Sequence, residues 1–174
     1  MVDLARKTAE EYKQATKTNI SILLDDVRSM ANVGSIFRTA DCFLVDTIYI
    51  CGISPQPPHR EIEKTALGAT NSVDWQYHES AEELVLKLKG EGFQIICIEQ
   101  VKQSVNLLAF NPDSSKKYVL ILGNEVFGVK QELLETANTV IEIPQFGTKH
   151  SFNVAITGAI VLWDFYSKII GKVR

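Results

Sequence analysis

Short apolar runs alternate with helical segments along most of the chain, and this alternation constrains the fold more than any other feature. Residues 20–24, 46–51, 93–98, 118–122 and 139–143 are rich in Ile, Val and Leu and have the length of buried strands. Strands that alternate with helices favour an α/β fold, in which a parallel sheet is covered by helices on both faces. The functional surface of such a fold lies beyond the carboxyl ends of the strands.

Helical spacing and capping residues predict the helices that cover this sheet. Asn32 stands where an N-cap would start a helix, and Ser80 is expected to cap another. Pro55, Pro57 and Pro58 require a loop over residues 52–60. Residues 99–117 have no clear period and are predicted to be mainly irregular. The predicted helices cover residues 3–15, 32–43, about 61–67, 80–89, 130–137 and 153–169.

Length and composition favour one globular domain over residues 1–174, since 45% of the 174 residues are hydrophobic and 22% are charged. No apolar run has the length of a membrane span, and the charged leading helix within residues 1–19 lacks the apolar stretch of a signal peptide. We therefore expect a cytoplasmic protein without membrane association. Cys42, Cys51 and Cys97 are widely spaced among apolar residues, which predicts reduced, buried thiols.

The charge balance gives a mixed indication about nucleic acid. A net charge of −3 argues mildly against a nucleic-acid partner, because such proteins usually carry a basic face. Several cations could still share one face, because they fall in or beside predicted loops: Arg28, Arg38, His59, Arg60, Lys64, Lys116, Lys117, Lys149 and His150.

Motifs of the common nucleotide-binding and hydrolytic enzymes are missing. The sequence has no G-x-G-x-x-G after the first strand, no Walker loop, no G-x-S-x-G and no cluster with metal-ligand spacing. These absences argue against most nucleotide-binding and hydrolase functions, and no metal site is expected.

Three polar stretches at predicted strand ends are the candidate functional segments. They are NVGSIFRTA at 32–40, ILGNEVFGV at 121–129 and IPQFGTKHSFNVAITGA at 143–159. Each has an ordinary structural interpretation: a capped helix with a solvent-facing arginine, a strand-to-helix turn, and a loop whose Ser151 or Asn153 caps the last helix. Gly34 in the first stretch would allow close approach of another chain segment or a ligand.

Together and in this order, the three stretches resemble the motifs of the TrmH/SpoU-type RNA ribose 2′-O-methyltransferases of the SPOUT class. HREIEKTALGAT at 59–70 and CIEQVKQSVNL at 97–107 also resemble segments of that family. The resemblance covers residues 20–165. It implies a SPOUT fold with a deep C-terminal trefoil knot at about residues 118–165, an exception to the rule that chains do not thread through loops. It also implies S-adenosylmethionine as cofactor and a homodimer whose knotted regions pack together.

The resemblance also assigns candidate roles to individual residues. Gly123, Ile143 and Phe152 would contact the cofactor, mostly through backbone atoms, with Ile98 and Glu99 nearby. Phe152 departs from the leucine that the family usually has at its position. The catalytic set implied by the resemblance is Arg38, Asn32, Glu125, Ser151 and Asn153, while Lys149, His150, Arg28 and Arg60 are candidate phosphate contacts.

Arg38 matches the family residue proposed to act on the ribose 2′-hydroxyl. Because a guanidinium normally stays protonated, Arg38 would act as a base only with help from a substrate phosphate, and would otherwise act as an electrostatic clamp. The predicted function is methylation of a ribose 2′-hydroxyl in structured tRNA or rRNA, with RNA and not DNA as partner. Two alternatives are a non-catalytic RNA-binding or ribosome-assembly factor that retains the fold, and an unrelated α/β nucleotide-binding protein.

Overall fold

The computed structural model describes residues 7–149 and 151–170, with the side chain of residue 170 excepted. Within this part of the chain, all strands belong to one parallel sheet. The strands are β1 (Ile20–Asp25), β2 (Thr47–Cys51), β3 (Asp74–His78), β4 (Gln94–Ile98), β5 (Val105–Asn106), β6 (Tyr118–Leu122) and β7 (Thr139–Glu142). The helices are α1 (Ala9–Gln14), α2 (Met30–Cys42), α3 (Arg60–Ala66), α4 (Ala81–Gly90), α5 (Gln131–Thr136) and α6 (Val154–Ile170).

The strand order explains where the functional segments meet. The sheet runs β3-β2-β1-β6-β4-β7-β5, so β6 lies between β1 and β4, and β7 lies beyond β4. Each neighbouring pair is parallel, with Leu23 opposite Ile121 and Cys97 opposite both Ile121 and Val140. The loops after β1, β6, β4 and β7 therefore follow one another along a single edge of the sheet.

Burial on both faces of the sheet accounts for the continuous apolar strands. Every residue of β1 and β6 is buried, instead of every second residue as on a half-exposed sheet. One hydrophobic cluster joins the sheet to α2, α3 and α6, and contains Phe37 and Phe165. A second cluster on the opposite face contains Leu84 and Leu133 from α4 and α5. The predicted α/β architecture with helices on both faces is confirmed.

The start of α2 differs from the prediction. Ser29, not Asn32, is the N-cap: its hydroxyl accepts a hydrogen bond from the backbone N–H of Asn32 at 3.3 Å. Asn32 is the third residue of the helix, and its side chain is available for contacts with other segments. Gly34 does allow a close approach, and the approaching segment is α3 of the same chain, because an added Cβ would lie 2.3 Å from the Ile62 carbonyl oxygen.

Other differences from prediction are small. The described part of the leading segment forms a helix only over Ala9–Gln14, while residues 1–6 lie outside the described residues. Residues 99–117 are largely irregular but include β5, which pairs with β7. Cys51 and Cys97 are buried as predicted, whereas Cys42 is exposed at the end of α2. Burial raises the pKa of the Cys51 and Cys97 thiols to about 12.

No described helix combines the length and apolar character needed to cross a membrane. The trefoil knot at about residues 118–165 stays a prediction. The last helix, α6, packs against α2 and against the irregular segment after β5, where Lys168 Nζ donates hydrogen bonds to the carbonyl oxygens of Leu107 and Phe110, each at 2.8 Å.

Candidate active site

A cavity of about 680 Å³ lies beyond the carboxyl ends of β6, β4 and β7. This volume lies within the range of small-molecule sites. Its wall is formed by the segments that follow these three strands and by the start of α6. All of the predicted cofactor contacts lie on this wall: Ile98, Glu99, Gly123, Ile143 and Phe152. The same wall includes Glu125, Ser151 and Asn153.

Backbone packing at Gly123 and Gly128 shapes one side of the cavity. Asn124 and Gly128 exchange backbone hydrogen bonds, which closes a tight loop after β6. A Cβ at Gly123 would lie 2.4 Å from backbone atoms of Gly128 and Val129, and Gly128 has a φ of +71°. Side chains larger than hydrogen are therefore excluded at both positions, and this tightly packed loop forms that side of the cavity.

Glu99 fixes the same loop from the neighbouring strand end. Its Oε2 accepts a hydrogen bond from the backbone N–H of Val129 at 3.0 Å, and its Oε1 accepts one from Gln100 at 2.8 Å. The carboxylate therefore holds the segments after β4 and β6 together. The family resemblance predicts that Glu99 lies near the cofactor. The hydrogen bond to Val129 is seen only in the structure.

The three motif segments are joined by a chain of hydrogen bonds. Asn153 Nδ2 donates to Asn32 Oδ1 at 2.9 Å, and Asn32 Nδ2 donates to Glu125 Oε1 at 2.9 Å. Glu125 also accepts from the backbone N–H groups of Arg28 at 2.9 Å and Ser29 at 3.0 Å. One carboxylate thus binds the beginning of α2, and two amides extend the connection to the beginning of α6.

Asn153 both caps α6 and forms a hydrogen bond with the distant residue Asn32. Its Oδ1 accepts hydrogen bonds from the backbone N–H groups of Ala155 at 2.9 Å and Ile156 at 3.3 Å, so it caps α6. Its Nδ2 is then directed to Asn32. The cap therefore orients the amide that closes the hydrogen-bond chain.

The environment of Glu125 favours its ionised form. Burial alone would raise its pKa, but hydrogen bonds from Arg28, Asn32 and Ser29 outweigh burial and lower the pKa below its ordinary value. Glu125 is therefore an anion at neutral pH. It acts as a hydrogen-bond acceptor that organises the site, and its low pKa makes it a poor proton donor.

Arg38 does not line the cavity of its own chain. It lies six residues after Asn32 in α2, which places it roughly 120° away around the helix axis. Its side chain is exposed, and no described residue forms a hydrogen bond or ion pair with its guanidinium. The structure therefore brings Asn32, Glu125 and Asn153 together and leaves Arg38 apart from them.

The remaining predicted residues are found on the surface near this edge or outside the described chain. Ser151 lines the cavity, and no described residue is hydrogen-bonded to its hydroxyl. Lys149, Arg28 and Arg60 are exposed, in keeping with accessible cations. His150 lies outside the described residues.

An ion-pair cluster near this edge was not predicted from the sequence. Lys130 Nζ lies 3.0 Å from Asp25 Oδ1, 3.0 Å from Asp26 Oδ2 and 3.4 Å from Glu82 Oε1. Burial raises the pKa of Asp25, although Lys130 opposes this effect. Consecutive aspartates at the end of a buried strand were the available signal, but their partner follows more than 100 residues later.

The charges on the cavity wall restrict what it can bind. Glu99, Glu125 and Glu142 are on the wall, and no Lys, Arg or His is among its described residues. Anionic groups such as the phosphates of nucleotide cofactors would be repelled there. A ligand with a positively charged centre and a polar, planar group that can contact backbone atoms fits this wall.

Comparisons with known proteins agree with this geometry. Residues 19–163 match the model of the SpoU rRNA Methylase family. A tRNA (guanosine(18)-2′-O)-methyltransferase of Aquifex aeolicus is 32% identical over 91% of this chain and 74% of its own length. The Escherichia coli K12 protein of the same name is 27% identical over 84% of this chain, which spans 62% of that protein's length.

Solved structures give the same result. The A. aeolicus TrmH/SpoU tRNA modifying enzyme has a TM-score of 0.82 at 28% identity, covering 95% of this chain and 82% of that one. An AdoMet-bound rRNA methyltransferase from Sinorhizobium meliloti has a TM-score of 0.78 at 28% identity, covering 88% of this chain and 58% of that one. With the family model matched across the sheet and all three motif segments, this chain belongs to the SpoU rRNA methylase family.

Proposed function

We propose that the protein is an S-adenosylmethionine-dependent methyltransferase that modifies a ribose 2′-hydroxyl in structured RNA. The observation that carries this proposal is the hydrogen-bond chain Asn153–Asn32–Glu125 at a cavity whose wall includes Gly123 and the loop that follows it. This arrangement joins a cofactor-sized cavity to polar groups suited to hold a sugar. The activity agrees with the names of the relatives and with the AdoMet-bound relative of known structure.

The cavity suits S-adenosylmethionine in size and in charge. The cofactor supplies a methyl group on a positively charged sulfur, and the wall carries Glu99, Glu125 and Glu142 without a described cation. Gly123, Ile143 and Phe152 would hold it, mostly through backbone atoms, with Ile98 and Glu99 adjacent.

The chain's own residues have distinct tasks in this proposal. Asn32 and Asn153 orient the substrate ribose, Ser151 contacts the ligands through its hydroxyl, and Glu125 keeps these groups in place as a stable anion. Arg38 lies on another side of α2 from Asn32, so we propose that it reaches the substrate ribose bound by the second copy in the proposed dimer, where it acts as an electrostatic clamp because a guanidinium holds its proton. Positioning of the nucleophile supplies much of the rate in such a transfer.

RNA is the proposed substrate class, and the names of the curated relatives favour tRNA. The exposed cations Arg60 and Lys149 are proposed contacts to the phosphate backbone. The cytoplasm is the proposed location of the reaction, as the sequence predicts.

The proposed working form is a homodimer formed through α6. Ile156 and Trp163 are 52% and 58% exposed and lie seven residues apart, so they face the same side of this apolar helix. Trp163 packs at 6.0 Å between ring centroids on Phe43, which extends the apolar surface towards the end of α2. A second copy of the chain is the proposed cover for this face.

Two measurements test the proposed function. Purified protein should bind S-adenosylmethionine in a calorimetric titration and should transfer labelled methyl groups to total RNA from cells that lack the gene. Digestion of that RNA should yield labelled 2′-O-methylnucleosides. RNA binding without label transfer would instead support the alternative of a non-catalytic assembly factor.

A further inference from the structure

A second cavity, of about 480 Å³, lies beside the first along the same edge of the sheet. It is formed by the segments that follow β1, β2 and β6, whereas the first cavity follows β6, β4 and β7. Asn124, Phe127 and Gly128 line both cavities, so the loop after β6 is their common wall. Because β6 lies between β1 and β4, the two cavities are neighbours by topology.

The second cavity has large apolar side chains at its exposed rim. Phe127 is 84% exposed and Ile53 is 68% exposed. Ile53 is held by its backbone N–H, which donates to Asp26 Oδ1 at 2.9 Å. An exposed aromatic ring next to an aliphatic side chain suits stacking against a planar ring system, such as a nucleobase.

The floor of the second cavity is acidic. Asp25 and Asp26 line it together with Lys130, and Glu82 is the third carboxylate bound to that single ammonium group. Asp25 is 1% exposed, and no described residue hydrogen-bonds to its Oδ2. Three carboxylates against one lysine disfavour a phosphate at the floor, whereas the N–H groups of a neutral base are compatible with them.

Arg28 adds a group that can distinguish one base from another. Its backbone N–H is held by Glu125 at 2.9 Å, which fixes the position of its Cα relative to the first cavity. Its side chain is exposed and lines the second cavity, and no described residue pairs with its guanidinium. A free guanidinium fork matches the O6 and N7 acceptors of guanine, which is the commonest specific contact of arginine with a base.

We propose that the second cavity receives the base of the nucleotide that is methylated, and that Arg28 selects guanine at this position. The proposal rests on the methyltransferase function proposed above. Glu125 lines the first cavity and belongs to the loop that the two cavities share, so the base of a ribose held beside it can enter the second cavity. Phe127 stacks on the base, the acidic floor faces its N–H groups, and Arg28 contacts its O6 and N7.

The identity of the labelled nucleoside tests this proposal, whichever position of the RNA is methylated. Wild-type protein, Arg28→Ala, Arg28→Lys and Phe127→Ala are each incubated with labelled S-adenosylmethionine and total RNA from cells that lack the gene. The RNA is then digested to nucleosides and analysed by mass spectrometry. Wild-type protein should label 2′-O-methylguanosine almost exclusively.

The variants should differ in a way that a purely structural role would not produce. Both Arg28 variants should lose roughly 5- to 150-fold in kcat/KM for guanosine and should label other nucleosides in a larger proportion, because lysine lacks the fork. Phe127→Ala should lower kcat/KM without changing which nucleoside is labelled, because stacking tolerates every base. Lys87→Ala and Leu86→Ala, at exposed positions of α4, are the matched controls and should behave like wild type.

Distinct results would overturn the two proposals. If wild-type protein labels another nucleoside as strongly as guanosine, or if Arg28→Ala keeps both rate and base identity, the assignment of Arg28 is wrong while the methyltransferase function stands. If S-adenosylmethionine binds but no label enters any RNA, the methyltransferase function fails, and the base site fails with it.

Discussion

The side-chain amide nitrogen of Asn153 lies 2.9 Å from the amide oxygen of Asn32, which is 121 residues earlier in the chain. The other group of each amide is also occupied: Asn153 Oδ1 caps α6, and Asn32 Nδ2 donates to Glu125. Each amide therefore has a determined orientation. The contact links α2 and α6 to the loop after β6, and the beginning of α6 borders the cavity.

Replacing Asn153 by aspartate should separate its two roles. Asn153→Asp keeps an oxygen that caps α6, but it places a carboxylate oxygen against Asn32 Oδ1 in place of a donor. We expect the melting temperature to change little and methyl transfer to fall by roughly 10- to 100-fold, on the scale of one lost polar contact to an oriented group. Asn153→Ala should lose the transfer activity and also about 1 kcal/mol of stability from the cap.

Calorimetric melting and initial rates of label transfer measure these two effects. Asn71→Asp, at an exposed residue with no described side-chain hydrogen bond, is the matched control. Full activity in Asn153→Asp would show that the contact with Asn32 is dispensable.

Adding a methyl group at Gly123 should damage the cofactor cavity directly. The new Cβ would lie 2.4 Å from the backbone of Gly128 and Val129, so the loop after β6 must move. We expect Gly123→Ala to destabilise the protein by about 1–3 kcal/mol and to weaken S-adenosylmethionine binding by at least about tenfold. Titration calorimetry measures the affinity.

Gly147→Ala is the control for this change, because an added Cβ at Gly147 has no atom within 4 Å. It should bind the cofactor like wild type. Equal affinities of the Gly123 and Gly147 variants would argue against the loop after β6 as the cofactor site.

Arg38 should matter for methyl transfer and not for folding. It is exposed and has no described partner, so Arg38→Ala should change the free energy of unfolding by less than about 0.5 kcal/mol. We expect the transfer rate to fall by at least about 100-fold, with cofactor affinity unchanged. Arg38→Lys should also be impaired, because lysine retains the charge but lacks the planar fork.

Single-turnover transfer and urea denaturation of the same preparations test this expectation, with Lys87→Ala as the charge-matched control. A normal rate in Arg38→Ala would remove Arg38 from the catalytic set.

Glu125 should make the free energy of unfolding decrease as the pH falls into the acidic range. Its pKa in the folded protein is lowered, chiefly by hydrogen bonds that outweigh burial, so the unfolded chain binds a proton more readily. Its stabilising contribution is complete above the ordinary glutamate pKa of about 4.3 and is lost as the pH falls through the lower, folded value. Because the side chain is exposed, we expect a contribution of about 1 kcal/mol at pH 7.

Urea denaturation of wild type and Glu125→Gln between pH 7 and pH 3 measures this contribution. The difference in stability should be constant near neutral pH and should narrow at the acidic end. Glu79→Gln, at an exposed position with no described side-chain contact, should match wild type throughout. If the difference in stability between wild type and Glu125→Gln stays constant at all pH values, the pKa of Glu125 is not lowered by folding.

Introducing a charge on the exposed face of α6 should prevent dimerisation. Trp163 is 58% exposed in the single chain, so Trp163→Glu costs little in a monomer but buries a charge in the proposed dimer. We expect sedimentation to give a dimer for wild type and a monomer for Trp163→Glu at micromolar concentration. Leu86→Glu, at a 62% exposed residue of α4, should stay dimeric. A monomeric wild type would overturn the proposal.

Much of the local structure can be predicted from the sequence, because burial on both faces of a parallel sheet requires continuous apolar strands. The predicted strand 118–122 has the same bounds as β6 for this reason. The proline-rich loop follows from the fixed φ of proline and its missing donor. The three motif segments, in this order, resemble those of the family, and the family model confirms that prediction.

Contacts between distant segments depended on the tertiary structure. The sequence predicts Asn32 as a helix cap, whereas Ser29 is the cap in the structure. Glu125 reaches the Asn32 amide only because β6 lies beside β1. The family resemblance groups Arg38 with these residues, but the pitch of α2 directs it to another side of the helix. The second cavity arises because the loops after β1, β2 and β6 become neighbours along one edge.

The physical reason is the range of the interactions involved. Hydrophobic periodicity, helix caps and prolines act within a few residues. The sequence alone therefore determined where strands and helices form and which motifs follow them. Strand order and helix packing depend on the free energy of the whole core, and they decided that Asn32, Glu125 and Asn153 share one hydrogen-bond chain. They also decided that two cavities share the loop after β6, with Arg28 at the rim of the second.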